Sequence, residues 1–205
     1  MPADRSPGTP DGFPGSVFDL AELGSLFDTH WPRLVAIVRR RLDNALAVRL
    51  DPEAVVNAAY LDAQRKWPAY KADRTPEPFV WLYRVVIDRL IEEWRTHTRG
   101  RRDIRREVPW PDQPSVDLGL RLQASQTSPT QAAIRAEEGE TVRAALDRLK
   151  EPDREIIRLR GYDDLSFREI GDLLGVPENT ATVRYVRALK RLKAEWQHLT
   201  GESRP

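Results

Sequence analysis

The chain has 205 residues, with 33 Lys plus Arg against 32 Asp plus Glu, and no cysteine. A net charge of +1 excludes a generally basic nucleic-acid protein, so any such contact must come from local patches. The lack of cysteine removes disulfides, thiolate zinc sites and cysteine nucleophiles, which fits a reducing cytoplasm, and no apolar run of about 18 residues predicts membrane insertion.

The first 16 residues, MPADRSPGTPDGFPGS, have neither the basic start nor the apolar centre of a secretory signal. They read as a disordered Pro/Gly-rich tail. Helical patterns begin at about Val17, and Leu34, Ile37, Val38 and Leu42 fall on one helical face. Asp51 is a good N-cap, and Pro52 stands in the first turn behind it. Val55, Ala59 and Ala63 then share a stripe, with Val56 and Tyr60 beside it. YKADRTPEP breaks the pattern from Tyr70 to Pro78. The most regular helix follows, with Phe79, Leu82, Tyr83, Val86, Ile87, Leu90, Ile91 and Trp94 at i, i+3, i+4 spacing. It runs out into RTHTRGRRDIRR, where Arg95, Arg99, Arg101, Arg102, Arg105 and Arg106 face one acid, Asp103. That patch suits a DNA backbone or an acidic protein surface.

Residues 103–130 carry Pro109, Pro111, Pro114 and Pro129 among Ser, Gln and Asp, the signature of a linker. Helical patterns return over 131–199. Ala133 to Leu149 reads as one helix, and Glu151-Pro152-Asp153 starts a short one through Leu159. GYDDLS is a turn, and Ser166 with Glu169 three residues on is a capping box. Ile170, Leu173 and Leu174 are the buried side of the helix it starts, and Gly175 ends that helix. Pro177-Glu178 opens the last helix, whose apolar positions are Val183, Val186, Leu189 and Leu192. No alternating strand pattern of useful length occurs, so the expected fold is all-α, with two helical domains joined by a flexible linker.

A capped helix, a tight glycine turn and a helix rich in Arg and Lys form a helix-turn-helix pattern. No acid occurs between Asn179 and Ala194. A helix fits the major groove, where exposed side chains reach base edges and phosphates. Thr180, Thr182, Arg184, Arg187, Lys190, Arg191 and Lys193 are the candidates. Enzyme chemistry is not expected. His30, His97 and His198 are scattered, and there is no P-loop, dinucleotide-binding glycine motif or nucleophile elbow. Glu92-Glu93, Glu137-Glu138 and Asp163-Asp164 are neighbours in sequence and do not face each other on a helix. No metal, cofactor or small-molecule substrate is predicted.

Three stretches carry a family resemblance. LKEPDREIIRLRGYDDLSFREIGDLLGVPENTATVRYVRALKRLK resembles region 4 of bacterial RNA polymerase sigma factors. DPEAVVNAAYLDAQRKW resembles region 2.2, and FVWLYRVVIDRLIEEWRTHTRGRRD resembles regions 2.3 and 2.4. Two such domains with a short linker match the extracytoplasmic-function (ECF) group of the sigma-70 superfamily.

The resemblance implies a division of labour. Residues 17–102 would bind core RNA polymerase and recognise and melt the −10 element; residues 131–199 would dock on the −35 element. Promoter DNA and core polymerase are the implied partners, and many members of the group are also held by an anti-sigma protein. Asp51, Glu53, Val56, Asn57 and Tyr60 fall on the stretch that binds polymerase. The loop from Lys71 to Phe79 falls where the family encloses a flipped −10 base. Melting also needs flat surfaces for unpaired bases and cations for the separated strands. Lys71, Arg74, Trp81, Arg84, Asp88 and Arg95 are the −10 candidates, with Trp81, off the main apolar stripe, as the expected platform. Tyr83 and Trp94 fit the stripe and read as core.

Several positions depart from the family pattern. Ala54, Asn57 and Ala58 stand where acids or glutamine are common, although Asp51 and Glu53 remain. Asp88 replaces a frequent Asn and needs a partner such as Arg84 or Arg89, or a cytosine amino group. Thr182 replaces a common Lys, and Tyr185-Val186 a common Leu-His pair. The alternative readings are a stand-alone helix-turn-helix transcriptional regulator and a sigma-like decoy that no longer initiates.

Overall fold

The computed structural model describes residues 17–42, 50–98 and 141–201, with the side chains of 17–19, 97 and 98 outside that description. The expected tail, the linker and the arginine run from Arg99 to Arg106 lie outside the described residues. Every described element is a helix, as the periodicity predicts. In chain order they are α1 (Val17–Arg41), α2 (Pro52–Asp73), α3 (Pro78–Thr98), α4 (described over 141–148), α5 (Glu151–Gly161), α6 (Phe167–Leu174) and α7 (Glu178–Thr200).

Local chemistry sets the helix ends. The Asp51 carboxylate accepts from the backbone N–H of Glu53, and Pro52 follows it. At the other end of α2, Arg74 adopts a left-handed conformation, and its N–H donates to the Tyr70 carbonyl. The Ser166 hydroxyl accepts from the Glu169 N–H while the Glu169 carboxylate accepts from the Ser166 N–H, completing the capping box. Gly175, at φ +65°, closes α6 in the left-handed region that glycine enters without a Cβ penalty.

α1, α2 and α3 pack together through Leu34, Ile37, Val38, Val55, Ala59, Ala63, Leu82 and Val86, all essentially buried. Val80 and Val85 are buried as well, because α3 is covered on more than the single stripe its periodicity marks. α5, α6 and α7 form a second group around Ile156, Ile157, Ile170, Ala181 and Ala188.

Two assignments are corrected by burial. Val56 has no exposed surface, so it is a core residue and cannot touch a polymerase. Trp81 is only 8% exposed; it stacks on Tyr70 at 4.3 Å between ring centroids and tilts against Trp67 at 5.7 Å. It is therefore not an open platform. The helix carries it inward because α2 covers this side of α3 too.

The two groups meet where the α5–α6 turn and α6 lie against α1 and α3. The Asp163 carboxylate, fully buried, accepts from Nε of Arg41 at 2.9 Å, from Arg41 Nη2, and from the Tyr83 hydroxyl at 2.7 Å. Arg41 Nη2 also donates to the Tyr83 oxygen at 2.6 Å. Burial alone would lower the Arg41 pKa, but the carboxylate beside it outweighs this and raises it. Burial raises that of Tyr83. Nearer the surface, both guanidinium Nη atoms of Arg33 donate to the Glu169 carboxylate at 2.6 and 2.8 Å. The same guanidinium lies 3.7 Å over the Phe79 ring.

Candidate nucleic-acid interface

The helix-turn-helix is α6, the turn through Gly175, and α7. Its tightness depends on Gly171, inside α6. A Cβ there would stand 2.6 Å from the Val176 carbonyl oxygen and 3.3 Å from the Glu178 nitrogen. The Val176 N–H in turn donates to the Gly171 carbonyl at 2.9 Å. α7 can cross α6 this closely only because residue 171 has no side chain.

Ala181, Ala188 and Leu192 form the buried side of α7. The opposite side carries Val183, Val186, Arg187 and Lys190, all exposed, with Arg184 on one flank and Thr182 on the other. Val183 and Val186 are 47% and 45% exposed, so these apolar residues sit among the cations and not in the core. Spacing could have shown this: neither is in phase with Ala181, Ala188 and Leu192.

Not every predicted contact is equally free. Thr180 is half-buried, and the Thr182 hydroxyl donates to the Glu178 carbonyl at 3.1 Å. Arg191 donates to both oxygens of Asp153 on α5, at 2.7 and 2.6 Å. Lys193 is exposed.

On the first group, Arg84, Asp88 and Arg95 are exposed and share one face of α3. Asp88 finds its cation on α2, at Lys66 3.4 Å away, not at Arg84 or Arg89. Arg89 instead bonds Glu93 at 2.6 Å. Arg84 donates to the carbonyl of Leu173 at 2.7 Å, at the C-terminal end of α6 where the helix dipole favours a cation.

Arg74 lines a cavity, and Lys71 is not among its lining residues. The cavity has a volume of about 360 Å³ and is lined by Glu22, Ser25, Leu26, Thr29, Trp67, Tyr70, Arg74 and Pro78. The Glu22 carboxylate lies 2.7 Å from Arg74 and 3.5 Å from Lys71. Its hydrogen bond with Arg74 lowers the Glu22 pKa. Glu22 carries no sequence signal for this place, since α1 meets the α2–α3 loop only in the folded chain.

Of the polymerase candidates, Asp51, Glu53 and Asn57 are exposed on α2. Tyr60 is half-buried, edge-on to Phe27 at 4.9 Å. Glu53, Asn57 and Leu61 make one exposed stripe at four-residue spacing, with Leu61 54% exposed.

The family described as Sigma-70, region 4 matches residues 139–192, the span that holds the helix-turn-helix. The chain is 26% identical over 155 residues to the RNA polymerase sigma-H factor of Pseudomonas aeruginosa, covering 75% of this chain and 77% of that one. It is 24% identical over 151 residues to the ECF RNA polymerase sigma-E factor of Haemophilus influenzae, covering 74% and 77%. A third relative, the ECF RNA polymerase sigma factor SigW of Bacillus subtilis, is 24% identical over 146 residues, covering 71% of each. Together these matches liken the chain to the ECF group of the sigma-70 family.

The matches with the three relatives are longer than the region 4 span, so the likeness extends beyond the helix-turn-helix. The function is that of a sigma factor, in directing transcription initiation. Among the described residues of this sigma factor no group of His, Asp or Glu is placed to hold a metal ion, and no helix is long and apolar enough to cross a membrane.

Proposed function

We propose that this sigma factor binds core RNA polymerase through α2, opens promoter DNA at the −10 element through α2, α3 and their loop, and reads the −35 element with α7. The observation that carries this reading is the exposed side of α7, where cations flank two apolar residues and no acid intervenes. Arg184, Arg187 and Lys190 reach phosphates and base edges, and Val183 and Val186 offer apolar contact to thymine methyl groups. Thr180 and Thr182 lie at the flanks, and Arg191 exchanges Asp153 for a phosphate.

At the −10 element, Arg74 borders the cavity that takes an unpaired base, with Tyr70 as its aromatic wall and Lys71 paired to Glu22 of the lining. Trp81 supports Tyr70 from behind. Arg84, Asp88 and Arg95 face the strand beyond. Asp51, Glu53, Asn57, Tyr60 and the exposed Leu61 meet the polymerase; Leu61 supplies an apolar anchor where the acidic character of this stretch is thin.

The deciding experiment is a titration against purified core RNA polymerase from the same source, read by co-elution at moderate salt. Saturable binding below about a micromolar, roughly 8 kcal/mol, is expected. Charge reversal at Arg184 and Arg187 should abolish −35-dependent DNA binding and leave that titration unchanged. DNA binding without polymerase binding would favour the stand-alone regulator.

A further inference from the structure

We infer that Val183 and Val186 make α7 a reader of methyl groups. Two adjacent base pairs of its DNA element are chosen by the C5 substituent of the pyrimidine, so thymine and 5-methylcytosine are accepted alike and unmethylated cytosine is bound less well. The inference rests on the proposed docking of α7 in the major groove of the −35 element.

The middle of the exposed side of α7 is apolar. Asn179, Val183, Val186 and Lys190 follow at spacings of four, three and four residues, so they form one exposed stripe opposite the buried Ala181, Ala188 and Leu192. Whatever covers the two valines must carry negative charge around an apolar centre. Arg184, Arg187, Lys190 and Lys193 are exposed around them, and no acid lies between Asn179 and Ala194. A second copy of α7 would set cation against cation. A groove walled by phosphates, with methyl groups among its base edges, complements this surface.

The polar side chains beside the valines are turned elsewhere. The Thr182 hydroxyl donates to the Glu178 carbonyl at 3.1 Å. Tyr185 packs against Phe167 of α6 at 5.5 Å between ring centroids, and Thr180 is half-buried. The bases beneath the valines therefore meet carbon. Three residues of helix rise roughly 4.5 Å, against roughly 3.4 Å for one base-pair step, so Val183 and Val186 meet neighbouring pairs. A valine makes no hydrogen bond. It cannot tell the O4 acceptor of thymine from the N4 amino group of cytosine, and it registers only whether C5 carries a methyl.

The test uses the full chain assembled with core polymerase and a library of duplexes randomised across the promoter. Selection recovers the bound duplexes, and the −35 segment is the one whose enrichment disappears when Arg184→Glu and Arg187→Glu are combined. Competition then ranks single-site changes in a selected duplex. Deoxyuridine in place of thymine removes one methyl and changes nothing else. At two adjacent positions it should weaken binding about fourfold each, the transfer value of one buried carbon. Cytosine methylated at C5 should bind about fourfold better there than plain cytosine. Val183→Ala should erase the thymine–deoxyuridine difference at one of the two positions, and Val186→Ala at the other. The DNA series leaves the protein untouched, and circular dichroism shows whether each variant retains its helices.

Equal binding of thymine and deoxyuridine duplexes, in a segment that still depends on the two arginines, would overturn the methyl reading and leave the −35 assignment standing. A methyl preference that survived in both alanine variants would place it on other residues and overturn the role of the valines. Alanine variants that weakened only polymerase binding would give the apolar pair to a protein surface instead. If no segment depended on the arginines, the −35 assignment itself would fail, and the inference with it.

Discussion

Two glycines, both inside helices, should respond to the same substitution with opposite signs. Gly24 lies in α1, where an added Cβ meets only the Tyr60 hydroxyl, at an ordinary 3.7 Å. Gly24→Ala should therefore gain the usual helix-interior preference for alanine, about 0.5–1 kcal/mol. Gly171 has the same preference working for it, but its Cβ would sit 2.6 Å from a backbone oxygen. That oxygen belongs to the turn held by the Val176–Gly171 hydrogen bond and by Gly175 at φ +65°, so it cannot swing aside like a flexible side chain. Forcing a methyl into a packed site costs about 1–3 kcal/mol. The net for Gly171→Ala is a loss of up to about 2 kcal/mol. At about 2–4 °C per kcal/mol for a chain of this size, the midpoints should move in opposite directions, up for Gly24→Ala and down for Gly171→Ala. Thermal and urea unfolding of the full chain, followed by circular dichroism, measures both. Gly171→Ala should also weaken upstream DNA binding at temperatures where it is folded, because α7 is tilted on α6. If both variants gained stability alike, the turn would relax freely and the close approach at Gly171 would not be what sets the α6–α7 angle.

Reversing Arg184 and Arg187 removes two phosphate contacts, so the slope of log affinity against log salt should fall by about 1.8, at roughly 0.9 per contact; fluorescence anisotropy over a salt series measures it, and an unchanged slope would place these arginines off the DNA. Ser166→Ala removes the capping hydroxyl of α6 and should cost about 1 kcal/mol, read as a lower urea midpoint. Acid should loosen the junction of the two groups. Glu169 is held below its ordinary 4.5: burial pushes it up, but the bonds from Arg33 and Ser166 outweigh that. Its contribution is thus present above about 4.5 and is lost as pH falls through the lowered value. His30, lowered from 6.5 first by burial and then by Arg33, binds a proton less well folded than unfolded. Acidification below about 6.5 therefore acts in the same direction. Stability should decline from near neutrality downward, and Glu169→Gln should flatten the lower part of that decline.

Much of the fold was legible because the signals are local. The Ser166–Glu169 capping box, the Asp51 N-cap and the stripe from Phe79 to Leu90 depend on residues within one or two turns of each other. Placement on a face was harder. Val183 and Val186 read as apolar positions of α7 with no face assigned, and they are exposed, because small Ala181 and Ala188 let α7 sit close on α6 and α5 along another side. Trp81 looked exposed from the α3 pattern alone, and Tyr70 and Trp67 of α2 cover it. Val56 falls beside the stripe of α2 and is nonetheless fully enclosed.

What the amino-acid order determined by itself is the set of helices, their ends, the helix-turn-helix and the acid-free run that makes α7 a DNA-reading candidate, since caps, periodicity and charge act over a few residues. What only the tertiary structure decided is which charges neutralise one another across the chain. Asp163 reads as a turn residue and Arg41 as the basic end of a helix. They become a buried pair 122 positions apart because two separately patterned helical groups close on one another. Glu22 is drawn to Lys71 and Arg74 in the same way. Such pairings depend on the geometry of distant surfaces, and no short-range pattern encodes them.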